Sequence, residues 1–371
     1  MLLGPPFLET VELTFTLRSL PENTPPGSAF YLRTNLEGYL PDLEENRFQR
    51  EEGRWILRRR VPLGALLAYK VTRGSVDHEE GDAWGCRCPA RQHVVLHDKM
   101  MDLEVLSWQD LLSGERPSTR SGRIEPLLIH SPELDADLEV LVYLPPGHAH
   151  GSGRYPVLYL HDGDNVFDAR TAFAGQEWGC DEAAEALAQE GLEGILVAVP
   201  VRGEQRSRDY TPFPARVNRL SPNAHNYLRF LTDTLKPEID RRYRTRPHVA
   251  STGLAGSSFG GLVSLYGGLT RRDVFGFIGA LSPSMWVGDH ALEEFVRQAW
   301  APMSRVYVDM GTLEGEDLDS SRYLVGLARQ LAEGLVPRVR EVRLAIGEGH
   351  WHDEPAWAAR FPAMLRWFLE G

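Results

Sequence analysis

The apolar positions of this chain keep two different rhythms, and the change falls near residue 123. Over residues 9–105 they alternate in short runs closed by turn residues. "VELTFTLRSL" alternates, "PENTPPGS" breaks it, and "AFYLRTNLEGYLPD", "RWILRRRVPLG" and "ALLAYKVTRGS" each give a further strand. No helical period intervenes, so residues 1–106 are expected to form a small antiparallel β-sandwich. Residues 107–122 are polar and rich in breakers, which predicts a linker. From 123 to 371 the apolar runs become continuous: "LEVLVYLPP" (138–146), "YPVLYLHDG" (155–163), "EGILVAVPV" (193–201), "HVASTGLAG" (248–256), "VFGFIGALSPS" (274–284) and "RVYVDMG" (305–311). Amphipathic stretches at 180–191, 223–243 and 320–335 separate them. Strand and helix in alternation predict an α/β domain: a mainly parallel sheet covered by helices, with its chemistry in the loops at the strands' C-terminal ends.

Composition narrows the partners. Forty basic residues stand against 52 acidic ones, a net charge of −12 with no long basic run, which argues against nucleic acid and against an anionic membrane. A small-molecule partner fits, and homo-oligomerisation is compatible with it. "MLLGPPFLETVELTF" lacks a basic segment followed by a sustained apolar one, so a cytoplasmic location is expected. Cys86, Cys88 and Cys180 are too few and too unevenly spaced for a disulfide framework or a zinc knuckle.

"AGSSFGG" follows a strand and opens an apolar helix. In the Gly-x-Ser-x-Gly frame, Gly256 and Gly260 bracket Ser258. Centring on Ser257 would put Ala255 and Phe259 at the glycine positions, where Phe259 is too large. Ser258 is therefore the candidate nucleophile. The amide of Phe259, at the helix N-terminus, is positioned to meet an oxyanion.

A serine nucleophile needs a base and an acid, which follow it in the chain in this kind of sheet. His290, His350 and His352 remain downstream, and only the last two end a strand that leads into a helix. Spacing does not choose between them. For the acid, Glu314 is the first carboxylate in the loop after "RVYVDMG", with Asp317 second, while Asp309 belongs to the strand itself.

The segments "YPVLYLHDGDNVFD", "AFAGQEWGCDEA", "RSRDYTPF", "GSSFGGLVSLYGG", "FIGALSPSMW", "MGTLEG" and "HDEPAWAARFP" together resemble the putative esterase family of α/β-hydrolases, which holds enterochelin esterases, esterase D and feruloyl esterases. The resemblance covers about residues 123–371 and implies an α/β-hydrolase fold. It places the nucleophile on Ser258, the acid on Glu314 and the histidine on His352, with Trp357 five residues on and His350 left as a neighbour lining the site. It makes the amide of Asp164 in "HDGDN" the second oxyanion donor, and carries Trp178, Arg206, Tyr210 and Trp286 over as pocket residues, with an ion pair for Arg206 and a packing aromatic for Trp178 as the other reading. No cofactor and no metal are implied. The N-terminal region is similar to starch-binding-type or early-set sandwiches, although Tyr39 stands where such modules usually have Trp, and Val76 where a Trp would follow "TRGS".

The function these residues imply is a serine carboxylic ester hydrolase, enterochelin esterase-like, with carbohydrate feruloyl or acetyl esters as the alternative substrates. Arg202, Arg206 and Arg208 offer local charge to an anionic siderophore. Two other classes compete: metal-assisted hydrolysis, since "HDGD" and "HWHD" cluster ligand types, and a glycan-binding module on an inactive hydrolase scaffold.

Overall fold

The structure, a computed structural model, describes residues 9–214, 221–288 and 291–371. His290 and the first residues of the segment read for a leader lie outside these ranges. The chain divides into two compact units. One contains the chain as far as Ser118 with the short segments Phe173–Gln176 and Gly315–Ser321; the other contains Thr119–Ala172, Glu177–Glu314 and Arg322–Gly371.

In the first unit, Thr10–Ser19 lies between Arg54–Pro62 and Lys99–Glu104 in one sheet, and Tyr31–Thr34, Leu66–Thr72 and Arg91–Val94 form another. Leu13, Phe15, Phe30, Leu57 and Val71 close a common core, as alternation predicts for half-buried strands. Two features depart from the sequence expectation. Thr10–Ser19 pairs with Lys99–Glu104 in parallel, because the chain between them passes through the other sheet and returns in the same direction. The unit also runs past residue 106: Ser107–Trp108 is a strand, and Trp108 is fully buried in the core with its indole stacked on Phe30. The polar tail of residues 107–122 hid this anchor.

The second unit is built on an eight-stranded sheet among the described residues. We label its strands β1 (Arg123–Ser131), β2 (Ala136–Leu144), β3 (Val157–Leu160), β4 (Ile195–Ala198), β5 (Thr252–Ser257), β6 (Phe277–Leu281), β7 (Ala301–Leu313) and β8 (Val339–Trp351). Their spatial order is β1-β2-β4-β3-β5-β6-β7-β8, antiparallel at β1-β2-β4 and parallel beyond. This is an α/β-hydrolase fold.

Burial explains the order. Every residue of β3, β4, β5 and β6 is buried, whereas β1 alternates buried and exposed, so the continuous apolar runs take the centre and the alternating one the edge. Within β3, Val157 and Tyr159 face Phe230, Leu235 and Ile239 on one side. Leu158 and Leu160 face Phe361, Met364 and Phe368 on the other. The flanking helices are α1 (Cys180–Ala188), α2 (residues 224–242, with a π-helical stretch at Phe230–Leu235), α3 (Phe259–Thr270), α4 (Ala291–Gln298), α5 (Leu318–Leu335) and α6 (Glu354–Glu370). No helix among the described residues is long and apolar enough to cross a membrane.

Between β3 and β5 the strand order reverses, because the chain leaves β3 to one side for β4 and returns on the other. That reversal opens a crevice beyond the carboxyl ends of both strands. The loops after β3 and β5 carry "HDGDN" and "SFGG".

Candidate active site

Ser258 stands at the tip of the turn from β5 into α3, with φ 57° and ψ −119°. A non-glycine residue there is strained, and the strain is held by hydrogen bonds on both sides. Its N–H donates to the Leu281 carbonyl (2.9 Å), and its own carbonyl accepts from Ser284 N–H (3.0 Å). The bracketing glycines are steric necessities. A Cβ on Gly256 would come within 2.9 Å of the His161 side chain, and one on Gly260 within 3.3 Å of both His161 Cβ and Asp162 Oδ2. Two loops are thus packed on each other through hydrogen-sized side chains.

His352 follows the end of β8, and Asp353 caps α6 by accepting from Ala356 N–H (3.1 Å). The imidazole points back over the sheet. Its Nε2 lies 3.0 Å from Ser258 Oγ, and its Nδ1 lies 2.8 Å from Glu314 Oε2. The carboxylate fixes the tautomer: Nδ1 carries the proton toward Glu314, and Nε2 is left to accept from Ser258. The edge of His352 rests on Trp357 at 5.0 Å between centroids.

Glu314, one residue past β7, is almost fully buried, with 1% of its side chain exposed against 40% for His352. A buried carboxylate must be compensated. Oε1 accepts from Gly311 N–H (2.5 Å) and Ser282 Oγ (2.6 Å), with Arg360 Nη2 at 3.4 Å. Ser282 in turn accepts from Trp357 Nε1 (3.0 Å) and Arg360 Nη2 (2.8 Å). Arg360 also reaches His350, whose Nδ1 accepts from Nη1 at 3.0 Å. Burial pushes the neighbouring Asp309 carboxyl up to about 6 against the pull of Arg360. Asp317, the second acid considered, lies in the first unit and accepts from Ser320 N–H (2.7 Å).

The loop after β3 is fixed as tightly. Gly163 N–H donates to the Val199 carbonyl (2.7 Å), and Asp162, at φ 54°, takes both arms of Arg206 (2.6 and 2.8 Å). His161 is fully buried, shares a 2.7 Å hydrogen bond with Tyr227, and is pushed down to about 3 by burial, so it is neutral. Asp164 is the middle residue of the 3-10 turn Gly163–Asn165, and Phe259 is the first residue of α3. Neither N–H has a carbonyl one turn back to donate to.

Several pocket expectations need correction. Trp178 is buried, tilted against Trp357 and Phe361, and serves as a packing aromatic because α1 seats it between sheet and α6. Tyr210 is buried too, and its hydroxyl accepts from Asp162 N–H (3.1 Å), so it holds the loop from below. His350 is turned to Arg360. Arg206 is half-buried and tied to Asp162, with its guanidinium 5.7 Å from the Phe259 ring. Arg202 is paired with Asp209, whereas Arg208 is exposed and donates to the neutral Gln205 amide, so of these two only Arg202 has its charge matched by a carboxylate. Trp286 keeps 47% exposure, edge-on to Phe259 at 5.6 Å.

The residues of "HDGD" and "HWHD" are committed to protein partners: His161 to Tyr227, Asp162 to Arg206, His350 to Arg360, and His352 to Glu314 and Ser258. The cluster of Glu177, Asp181 and Glu182 has metal-ligand spacing, its carboxylates within 4.8 Å of one another. In the first unit, Arg33 covers one face of the Tyr39 ring at 5.2 Å, and Tyr39 keeps 40% exposure. Sequence reasoning passed over Ser282, Ser284, Arg360 and Glu354; a serine or arginine inside an ordinary strand end or helix gives no signal of its own.

Comparisons with known proteins bear on the fold and the family. The family model described as "Putative esterase" matches residues 131–368. Among curated relatives, Bacillus subtilis YbbA, itself uncharacterized, is 26% identical over 61% of this chain and 90% of its own length. A siderophore triacetylfusarinine C esterase of Aspergillus fumigatus is 30% identical over 37% of this chain and 46% of its own. Among solved structures, the enterobactin esterase FES of Shigella flexneri superposes with a TM-score of 0.61 at 14% identity, over 97% of this chain and 93% of that one. The BES protein of Bacillus cereus gives 0.55 at 23%, over 69% and 98%. With the match spanning every strand of the sheet from β2 to β8, the chain belongs to the putative esterase family and is a carboxylic ester hydrolase.

Proposed function

We propose that Ser258, His352 and Glu314 act as a catalytic triad in an acyl-enzyme mechanism. The observation that carries this reading is the continuous contact from Ser258 Oγ to His352 Nε2 (3.0 Å) and from Nδ1 to Glu314 (2.8 Å). His352 takes the Ser258 proton as the alkoxide attacks the ester carbonyl. The amides of Phe259 and Asp164 receive the oxyanion, each lowering the barrier by about 3 kcal/mol. Glu314 stabilises the imidazolium, which then protonates the leaving alcohol. Water, deprotonated by the same His352, releases the acid and returns the proton to Ser258.

The proposed substrate class is a siderophore lactone or ester, in keeping with relatives whose names record siderophore and enterobactin hydrolysis. Comparing kcat/KM for a catecholate trilactone, a feruloyl ester and p-nitrophenyl acetate tests it. The trilactone is expected to be cleaved fastest; a feruloyl preference would move the chain to the carbohydrate-ester alternative.

A further inference from the structure

A groove of about 210 Å³ lies within the second unit, starting one residue beyond Ser284. One wall starts at Met285 and Trp286. These follow directly on Ser284, whose Oγ is 3.2 Å from Ser258 Oγ, and Trp286 rests on Phe259. The other wall is Tyr323, Leu324, Leu327 and Leu331 of α5, with Tyr323 and Leu331 four residues and Leu324 three residues from Leu327, so that they border one helix face. Leu292 and Leu331 are buried at its floor, while Trp286 (47%) and Tyr323 (62%) are exposed at its rim. Two exposed aromatic rings around an apolar floor mark a ligand surface more than a packing defect.

The size and chemistry define the occupant. A cavity of about 150 Å³ suffices for benzene, so this groove takes a single ring with a short link or a chain of about six carbons. Among the described residues its lining is apolar apart from Glu293 and the Tyr323 hydroxyl. We infer that the groove between Trp286 and α5 binds the apolar part of the ester, on the acyl or the alcohol side of the scissile bond, and sets chain-length preference. This inference rests on the esterase reading above.

The test is a pair of ratios, so that any loss common to all esters cancels. kcat/KM is measured for p-nitrophenyl hexanoate against acetate, and for hexyl against ethyl acetate, in the full chain and in Leu327→Trp, which fills the groove. In one series the longer ester is expected to be preferred by roughly tenfold or more, and Leu327→Trp to abolish that preference. The series that responds identifies the side of the ester. Should Leu327→Trp fail to fold, Tyr323→Glu at the exposed rim is expected to lower the same ratio. Ratios near one in both series, or ratios that both variants leave unchanged, overturn the inference while leaving the esterase reading intact. A folded chain that cleaves the catecholate trilactone but none of the four esters overturns the inference and leaves the esterase reading intact, whereas one that cleaves neither overturns both.

Discussion

Arg360 and Asp309 meet at 3.0 Å with 6% and 0% of their side chains exposed, immediately behind the carboxylate of Glu314. The contact is a charge pairing, not a straight hydrogen bond, because the same guanidinium is divided among Ser282, His350 and Glu314. One cation therefore faces two buried acids and offsets part of their charge.

Arg360→Met is expected to destabilise the fold by about 3–5 kcal/mol, since it strands buried charge. Urea denaturation at pH 7 measures it. A loss below about 1 kcal/mol would mean that Asp309 is carried in its neutral form and that Arg360 is dispensable.

Ser282→Ala removes a 2.6 Å donor from Glu314 and leaves Trp357 Nε1 without its acceptor. Hydrogen bonds to charged groups are worth about 1.5–3 kcal/mol, so kcat is expected to fall roughly 10- to 100-fold with KM little changed. A change confined to KM would place Ser282 outside the alignment of Glu314.

Glu354 opens α6 between Asn165 and His352, and burial raises its carboxyl from the ordinary 4.5 to about 7. The unfolded chain ionises this group near 4.5, whereas the folded chain holds the proton until about 7. Its ionisation therefore opposes folding progressively across that window and fully above it. Glu354→Gln is expected to match the wild type near pH 4.5 and to exceed its stability at pH 8 by up to about 3 kcal/mol. Equal stabilities at both pH values would refute the raised carboxyl.

Much of the proposed site is legible in the sequence. The glycine frame chose Ser258 over Ser257 for a reason the structure makes steric: Gly256 and Gly260 lie against His161 and Asp162. Strand-then-helix grammar located the loops of Glu314 and of the two histidines, and the family resemblance turned that into a choice of His352. Arg360 was not legible, because it stands inside an amphipathic helix like any surface arginine, 46 residues from Glu314. Its burial depends on α6 packing against the sheet, which is a tertiary fact. Trp178 and Tyr210 misled for the converse reason: proximity to a motif does not say which side of a loop an aromatic occupies, and both lie beneath it. The strand order, and with it the crevice between β3 and β5, has no signature in periodicity at all.

The serine doublet gives a sharp contrast. Ser257 ends β5 with 3% exposure, whereas Ser258 faces His352. Ser257→Ala is expected to leave kcat within about threefold and stability within about 1 kcal/mol. A collapse of kcat in a folded Ser257→Ala would contradict the glycine frame.

The most direct measurement is covalent labelling with a fluorophosphonate, followed by peptide mapping. The account predicts one adduct, on the peptide containing Ser258, lost in Ser258→Ala together with ester hydrolysis. An adduct on another residue, or hydrolysis that survives in Ser258→Ala, would contradict it.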